Sequence, residues 1–202
     1  MTPAPSPDRA DLRARARKVL ATKAVLRFDE PVRLASGAWS SVFVDGKAGL
    51  AHGPDLRLAS AALAAMLAEA GVEFDAVGGP TLGADHIAVG LALATDRSWF
   101  FVRKEPKGRG TGRQIEGATI GPDTRVVVVE DVISTGGSLL TAIDVIAATG
   151  APIVAAASLI DRGAVCRPAL AARGIPLFTL ADYHDLGLEP VAPPGPAPEA
   201  GP

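Results

Sequence analysis

The amino-acid sequence predicts an α/β fold in which helices flank an open, mostly parallel β-sheet. From about residue 74 onward, strand-like segments alternate with helical segments, the pattern of β-α units joined by right-handed crossovers. Four consecutive valines at 126–129 are typical of a strand that is buried on both faces, as in a parallel sheet. Charged or small polar residues follow several of these strands, at the edge where open α/β sheets bind ligands.

The composition is that of a soluble globular protein. The chain has 202 residues, enough for one domain with a substantial core, and 48% of them are hydrophobic and 21% charged. Its formal net charge is −2 at pH 7. It therefore lacks the positive charge that binding to bulk nucleic acid requires, and we expect no nucleic-acid partner.

The sequence also favours a cytoplasmic location. A single cysteine, Cys166, rules out an internal disulfide and fits a reducing compartment, and we interpret it as a packing residue. The N-terminal segment shows no signal-peptide pattern, and no apolar run approaches the length of a membrane span. We therefore expect no membrane partner.

Segments rich in Pro, Ala and Gly stand at the two ends of the chain. We predict that residues 1–7 and 190–202 are disordered tails and that residues 8–189 form one domain. The first segment of the domain, 8–22, carries basic residues around a thin apolar stripe, which indicates a surface helix. A nucleic-acid-binding arm is the alternative for this segment.

Hydrophobic periodicity and turn residues predict the remaining elements. Residues 54–70 are Ala- and Leu-rich and are followed by Gly71, which indicates a helix and its end. Further helices are expected before about Thr95, after Ser138, and at 164–173. Strands are expected at 28–44 with a turn at Ser36–Gly37, and at 74–77, 98–102, 126–129, 153–160 and 176–180.

The stretch VVVVEDVISTGGSLLT, residues 126–141, carries the strongest functional signal. Glu130 and Asp131 fall where the valine strand runs out, and the small residues that follow supply hydroxyls and backbone N–H groups at the start of a helix. Those are the parts of a phosphate cradle. The Walker spacing and its lysine are missing, and an acid pair before such a cradle suits a sugar phosphate. An ordinary βα turn with a capping Ser or Thr is the alternative.

Three other loops are expected to converge on the same edge of the sheet. GGPTLGAD (78–85) could bring its backbone close to an anion, or form a plain βα connection. RKEPKGRGTGRQIEG (103–117) places five cations among glycines, which suits either a lid over pyrophosphate or a solvated surface loop. LIDR (159–162) ends a strand on Arg162, which could bind a carboxylate or form a surface salt bridge.

Two of these stretches resemble the type I phosphoribosyltransferases. VVVVEDVISTGGS resembles the phosphoribosyl-pyrophosphate signature of that superfamily. RKEPKGRG resembles the mobile catalytic loop of its orotate phosphoribosyltransferase branch, whose pattern is R-K-x-x-K-x-H-G. The combination points to the orotate phosphoribosyltransferase family.

Two further stretches support the same branch. RLASGAWSSVFVD (33–45) resembles the hood segment on the orotate side, and LIDR matches the strand end whose arginine contacts orotate. The resemblance runs from about residue 32 to 188. It implies a type I phosphoribosyltransferase fold with a small N-terminal hood at about 8–50 and a core at about 51–189.

The resemblance implies an enzyme of pyrimidine biosynthesis. Its substrates would be orotate and 5-phosphoribosyl 1-pyrophosphate (PRPP), and its products orotidine 5′-monophosphate and pyrophosphate. Its cofactor would be Mg²⁺, held mainly through the substrate with help from Glu130 and Asp131. It would act as a homodimer in which each cationic loop is a lid that closes over the partner's site, in trans.

The resemblance also implies roles for individual residues. The catalytic residues would be Lys104, Lys107 and Asp131. Orotate would contact Ser134 and Arg162 and lie beside Phe43 and Val44. The residues that bind PRPP would be Arg103, Lys104, Lys107, Arg109, Glu130, Asp131, Val132, Ile133, Ser134, Thr135, Gly136, Gly137 and Ser138.

The chain departs from the family pattern at three places. Arg109 replaces the loop histidine, which retains an anion-binding group but puts proton transfer at that position in question. Ala35 stands where some members have a hood lysine, and Leu82–Gly83 replaces a tyrosine–lysine pair. The last two changes remove contacts to PRPP.

Two other functions fit the same motifs. The first is transfer to another base, against which Arg162 argues because a purine lacks the carboxylate that it would pair with. The second is a non-catalytic regulator that senses PRPP. A regulator would have no reason to keep Arg103, Lys104 and Lys107 together in the lid. It would also need a nucleic-acid surface, which the charge balance does not provide.

Overall fold

The computed structural model describes residues 9–33, 39–106, 114–163 and 165–191 of the chain. The strands in these residues are β1 (Val25–Arg33), β2 (Trp39–Val44), β3 (Ala76–Pro80), β4 (Ser98–Val102), β5 (Ile115–Gly117), β6 (Val126–Ile133), β7 (Ile153–Asp161) and β8 (Leu177–Asp182). The helices are α1 (Arg9–Lys23), α2 (Gly46–Gly49), α3 (Gly53–Glu69), α4 (Asp85–Thr95), α5 (Gly137–Ala147) and α6 (Cys166–Ala171). None of these helices is both long and apolar enough to cross a membrane.

Strands β3 to β8 form one sheet in the order β5-β4-β3-β6-β7-β8. Every neighbouring pair is parallel except β4 and β5, which are antiparallel. Strands β1 and β2 form a separate antiparallel pair; together with α2 they make up the N-terminal hood. The prediction of an open, mostly parallel sheet flanked by helices, with a small hood, is confirmed.

The valines of β6 are buried on both faces of the sheet, as their sequence predicts. Val127 and Val129 pack into a core with apolar residues of α1, α3 and α4. Val126 and Val128 point to the opposite face and pack with apolar residues of α5 and α6. Because a strand alternates its side chains between faces, an unbroken valine run fits only a strand that is covered on both sides.

The crossover helices α4 and α5 fix where the sheet opens. Helix α4, which connects β3 to β4, packs on one face, and α5, which connects β6 to β7, packs on the other. The strand order therefore reverses between β3 and β6. These two strands pair only through Ala76–Gly78 and Val126–Val128, and the carboxyl ends of the strands at such a reversal are the usual ligand site in these sheets.

The first two glycines of GGPTLGAD belong to a strand and not to a loop. The sequence left open whether this loop approaches an anion or is a plain βα connection, and in both cases placed Gly78 and Gly79 after the strand, whereas both are buried inside β3. A β-carbon at Gly78 would lie 2.3 Å from the carbonyl oxygen of Phe100, and one at Gly79 would lie 1.9 Å from that of Val129. These positions are glycine because neighbouring backbone leaves no room for a side chain.

Several element boundaries also differ from expectation. Strand β6 continues to Ile133 because its pairing with β7 extends to Ile133 and Asp161, so the acid pair lies in the last part of the strand and not after it. Strand β5 was not predicted, since its three residues carry no strand pattern and pair with β4 only through the backbone. Helix α2 was also missed, and the turn expected at Ser36–Gly37 lies outside the described residues.

The C-terminal end of the described chain is attached to the domain. The backbone N–H of Val191 donates a hydrogen bond of 2.7 Å to the carbonyl oxygen of Arg162, and Val191 forms a parallel bridge with Gly163. The prediction of a disordered tail from residue 190 is therefore wrong for Val191. Residues 1–7 and 192–202 lie outside the part of the chain that the structure describes.

Substitution of Gly79 tests the close approach of β3 and β6. We expect Gly79→Ala to lower the free energy of unfolding by about 3 kcal/mol, because its β-carbon would overlap the Val129 carbonyl and force the strands apart. Gly121→Ala is the matched control, since a β-carbon there meets nothing within 4 Å. Urea denaturation of both variants measures the difference; equal stabilities would contradict the packing described here.

Candidate active site

A cavity of about 360 Å³ lies at the carboxyl end of β6. It is formed by the end of β6, the first turn of α5, the end of β2 in the hood, and the segments that follow β7 and β8. Its lining residues are Phe43, Val44, Glu130, Val132, Ile133, Ser134, Thr135, Gly136, Gly137, Ser138, Leu139, Arg162 and Val191. The structure therefore brings together, in one cavity, most of the residues that the sequence singled out.

The loop between β6 and α5 has the geometry of an anion cradle. Gly136 precedes α5 with φ of 83°, a conformation that glycine adopts without strain. A β-carbon there would also lie 2.5 Å from the Cys166 sulfur. The first backbone N–H groups of α5 have no partner within the helix, and they carry the positive end of its dipole. The cavity wall formed by Ser134 to Ser138 is therefore suited to a phosphate.

Two adjacent acidic residues, Glu130 and Asp131, lie near the carboxyl end of β6. The Glu130 and Asp131 side chains are both buried, with 6% and 7% of the residue exposed. The Asp131 Oδ1 atom accepts a hydrogen bond of 2.7 Å from the backbone N–H of Val132. Burial and then the charge of Asp131 raise the pKa of Glu130 to about 8. The pair therefore carries less than its full negative charge at neutral pH.

The Asp131 side chain contacts the hood and is not among the residues that line the cavity. Its Oδ2 atom lies 3.3 Å from the ammonium nitrogen of Lys47, which also lies 3.6 Å from Oδ1 of Asp45. Partial burial disfavours the charge of Lys47, but the attraction of Asp131 and Asp45 together outweighs it and raises the pKa of Lys47. Sequence reasoning missed Lys47; the signal was the Asp-Gly-Lys sequence directly after the hood strand β2.

Local backbone geometry holds Lys47 against Asp131. Asp45 caps α2 by accepting hydrogen bonds from the backbone N–H groups of Lys47 and Ala48, each with a donor–acceptor distance of 3.0 Å. Gly46 packs on Asp131, where a β-carbon would lie 3.0 Å from the Asp131 Cβ. The hood therefore packs directly on Asp131.

Arg162 is a buried cation in the wall of the cavity. Only 6% of the residue is exposed, and its Nε has no hydrogen-bond partner among the described residues. Burial lowers the pKa of Arg162, which expresses the cost of keeping a guanidinium away from water. A carboxylate that entered the cavity would relieve this cost by pairing with it.

The base of the cationic loop lies two strands away from β6. The backbone N–H of Arg103 donates a hydrogen bond of 2.8 Å to the Gln114 carbonyl. The Gln114 side chain donates one of 2.9 Å back to the Arg103 carbonyl. Arg103 is half-buried and Lys104 exposed, and neither lines the cavity. Lys107 and Arg109 lie outside the described residues.

His86, near the start of α4, is a second residue that sequence reasoning missed. Its Nε2 is buried and has no hydrogen-bond partner in the described part of the chain. Burial lowers the pKa of His86, against the opposing effect of Asp131. A lone histidine without metal-ligand spacing gave no signal in the sequence.

Comparison with known proteins decides the family. The sequence model described as "Phosphoribosyl transferase domain" matches residues 50–170. The chain is 42% identical to the orotate phosphoribosyltransferase of Pyrococcus furiosus over 153 residues, which cover 76% of this chain and 84% of that protein. The chain belongs to the orotate phosphoribosyltransferase family.

Solved structures of this family have the same fold. The Mycobacterium tuberculosis orotate phosphoribosyltransferase in complex with Fe(III) dicitrate superposes with a TM-score of 0.76 at 32% identity, covering 88% of this chain and 99% of that one. The same enzyme in complex with PRPP gives a TM-score of 0.69 at 32% identity, covering 90% of this chain and all of that one.

Gly83 lies directly against the acid pair. A β-carbon at Gly83 would lie 2.6 Å from Oε1 of Glu130 and 2.8 Å from Oδ1 of Asp131. Any side chain there would have to displace both acids. The preceding Leu82 is 80% exposed, and Ala35 lies outside the described residues.

A pH series tests the environment of Glu130. Glu130 has an ordinary pKa of 4.5 in the unfolded chain and a raised pKa of about 8 in the folded chain. At a pH between these two values, Glu130 is ionised in the unfolded chain but keeps its proton in the folded chain. The wild type therefore loses stability as the pH rises through this range. Glu130→Gln cannot ionise. Its stability relative to wild type should therefore increase by up to about 1.4 kcal/mol per pH unit from about pH 5 to about pH 8.

The measurement is urea denaturation across this pH range, without substrate or divalent cation. Glu105→Gln, at an exposed position, is the control and should follow the wild type at every pH. A constant difference between Glu130→Gln and wild type would show that the acid is already ionised in the folded chain.

Proposed function

We propose that this chain transfers the phosphoribosyl group of PRPP to orotate and releases orotidine 5′-monophosphate and pyrophosphate, a step of pyrimidine biosynthesis. Family membership supports the activity as a whole. The observation that carries the choice of base is the buried Arg162 guanidinium, which lines the same cavity as the phosphate cradle. Orotate brings a carboxylate to this cation, whereas uracil and the purines do not.

We assign the remaining roles from position and chemistry. The backbone of Val132 to Ser138 would hold the 5′-phosphate, and Glu130 and Asp131 would accept hydrogen bonds from the ribose hydroxyls. Ser134 would contact orotate together with Arg162, while Phe43 and Val44 would flank the base. The exposed ring of Phe43, 39% accessible at the end of β2, offers an apolar surface to a planar ligand.

The reaction requires charge stabilisation and no covalent nucleophile. Attack of the orotate nitrogen on C1′ gives a transition state with oxocarbenium character, and negative charge develops on the departing pyrophosphate. Arg103, Lys104, Lys107 and Arg109 would bind that charge, with Lys104, Lys107 and Asp131 as the catalytic residues. A preorganised donor of this kind lowers a barrier by about 2.7–4 kcal/mol.

The acid pair fits a magnesium ion that is held mainly by substrate. Oxygens of Glu130 and Asp131 converge beside Gly83, and carboxylate oxygens are the ligands that Mg²⁺ prefers. Within the described residues no group of three or more acids, histidines or cysteines could hold a metal alone. Mg²⁺ usually combines one or two carboxylates with substrate phosphates. When bound, it would neutralise charge on the pyrophosphate.

We further propose a homodimer in which the loop acts in trans. The hydrogen bonds between Arg103 and Gln114 anchor the loop at the edge of the sheet, with β3 between its base strand β4 and β6. Its sequence offers cations and glycines but no apolar residue to dock it on its own subunit. The single cysteine and these soluble substrates favour the cytoplasm as its location.

A panel of bases tests the function. Turnover with labelled PRPP should be fast with orotate and negligible with uracil, adenine, guanine and hypoxanthine. Turnover of a purine in place of orotate would assign the chain to another base. Binding of PRPP without turnover of any base would support a PRPP-sensing regulator.

Substitution of Arg162 tests how the base is recognised. We expect Arg162→Leu to raise KM for orotate at least about tenfold and to change KM for PRPP less than about twofold, because only orotate loses a charge-assisted partner. Arg173→Leu, which removes an arginine paired with Asp144 on the surface, is the control. Equal increases in both KM values would mean that Arg162 does not bind the base.

Mixing two inactive variants tests the trans arrangement. Lys107→Ala and Asp131→Asn are each expected to be inactive. In a mixed dimer with trans loops, the Lys107→Ala subunit keeps its Asp131 and receives an intact loop, so one site is complete. Random exchange makes about half of the dimers mixed, and about a quarter of wild-type activity should return. Mixed dimers seen by native mass spectrometry without any activity would refute the proposal.

A further inference from the structure

The acid pair creates an electrostatic problem for the proposed donor. PRPP is a polyanion, yet its ribose must approach two buried carboxylates. Arg162 lies in the cavity wall on the base side, and the described loop cations Arg103 and Lys104 follow β4, two strands from β6. Lys47 places a cation beside Asp131 itself, at 3.3 Å.

Lys47 is positioned as a site residue and not as an ordinary surface lysine. It belongs to the hood, but its ammonium contacts an aspartate of the central strand, 84 positions away in sequence. The capped turn at Asp45 and the close packing of Gly46 on Asp131 fix where its side chain begins. Its side chain is 55% exposed, whereas that of Asp131 is 10% exposed. The ammonium therefore lies between the buried acid and solvent.

We propose that Lys47 is a donor-binding residue, which contacts PRPP beside Asp131 and offsets the charge of that carboxylate. A ribose hydroxyl bound to Asp131 would lie within about 6 Å of the ammonium nitrogen. The groups on the neighbouring ribose carbons, including the pyrophosphate on C1′, come within reach of a flexible lysine chain. This inference rests on the proposed function, because it needs a donor whose ribose binds at Asp131.

The chain provides a matched control in Lys23. Lys23 pairs with Asp55, and the two side chains are 48% and 13% exposed, close to the values of Lys47 and Asp131. The Lys23 pair links α1 to the start of α3 and lies outside the cavity lining. Removal of Lys23 therefore reproduces the loss of a lysine–aspartate pair without affecting a ligand.

Steady-state kinetics of Lys47→Met, Lys47→Arg and Lys23→Met tests the proposal. We expect Lys47→Met to raise KM for PRPP at least about tenfold and KM for orotate less than about twofold. Lys47→Arg keeps the charge and should stay within about threefold of wild type. Lys23→Met should match wild type. An effect of Lys47→Met no larger than that of Lys23→Met, or equal effects on both substrates, would overturn the proposal.

Lysine acetylation of the wild type gives a second test that does not depend on any variant folding. PRPP should protect Lys47 from acetic anhydride and leave Lys23 unprotected, as read by mass spectrometry. Equal labelling of Lys47 with and without PRPP would refute the contact. Wild-type turnover of orotate is measured in the same series. Its absence would refute the proposed function, whereas normal wild-type turnover with an unaffected Lys47→Met would refute only this inference.

Discussion

The reversal of strand order between β3 and β6 determines where the site forms. Because α4 and α5 cover opposite faces of the sheet, the strand order reverses between these two strands, and their pairing ends at Gly78 and Val128. Beyond that point β6 pairs with a strand only on the β7 side, although Gly79 of β3 still packs against the Val129 carbonyl. Its last residues and the start of α5 line the cavity, and the hood packs on Asp131 beside it.

Acidic and basic side chains occupy separate positions around the site. Glu130 and Asp131 are buried at the end of β6, with Lys47 beside the second acid, while Arg162 is buried at the end of the neighbouring strand β7. The cradle between them contributes backbone dipoles and no formal charge. A ligand with a phosphate, a sugar and a carboxylate-bearing base can therefore satisfy each of these groups in turn, which is the pattern of orotidine 5′-monophosphate.

Much of this arrangement could be predicted because it depends on local sequence patterns. A run of four valines fits only a strand covered on both faces, and the acid pair and cradle follow it within a few residues. Arg162 was predictable for the same reason, since parallel strands end at one edge. Gly78 and Gly79 were expected in the loop after the strand because nothing in the sequence distinguishes a glycine that permits close strand packing from a glycine in a loop.

Long-range contacts account for what the sequence did not reveal. Lys47 meets Asp131 across 84 positions, and Val191 reaches the cavity by a single bridge to Gly163. Strand β5 forms because β4 offers a free edge and not because its own residues favour a strand. Each of these depends on how distant segments pack, for which a single sequence carries no periodic signal.

A crystal structure of the chain with orotidine 5′-monophosphate tests the proposed site most sharply. We expect the phosphate on the backbone N–H groups of Ser134 to Ser138, the ribose hydroxyls on Glu130 and Asp131, and the base carboxylate on the Arg162 guanidinium. A nucleotide bound elsewhere, or one whose carboxylate points away from Arg162 while the phosphate occupies the cradle, would contradict the proposed site.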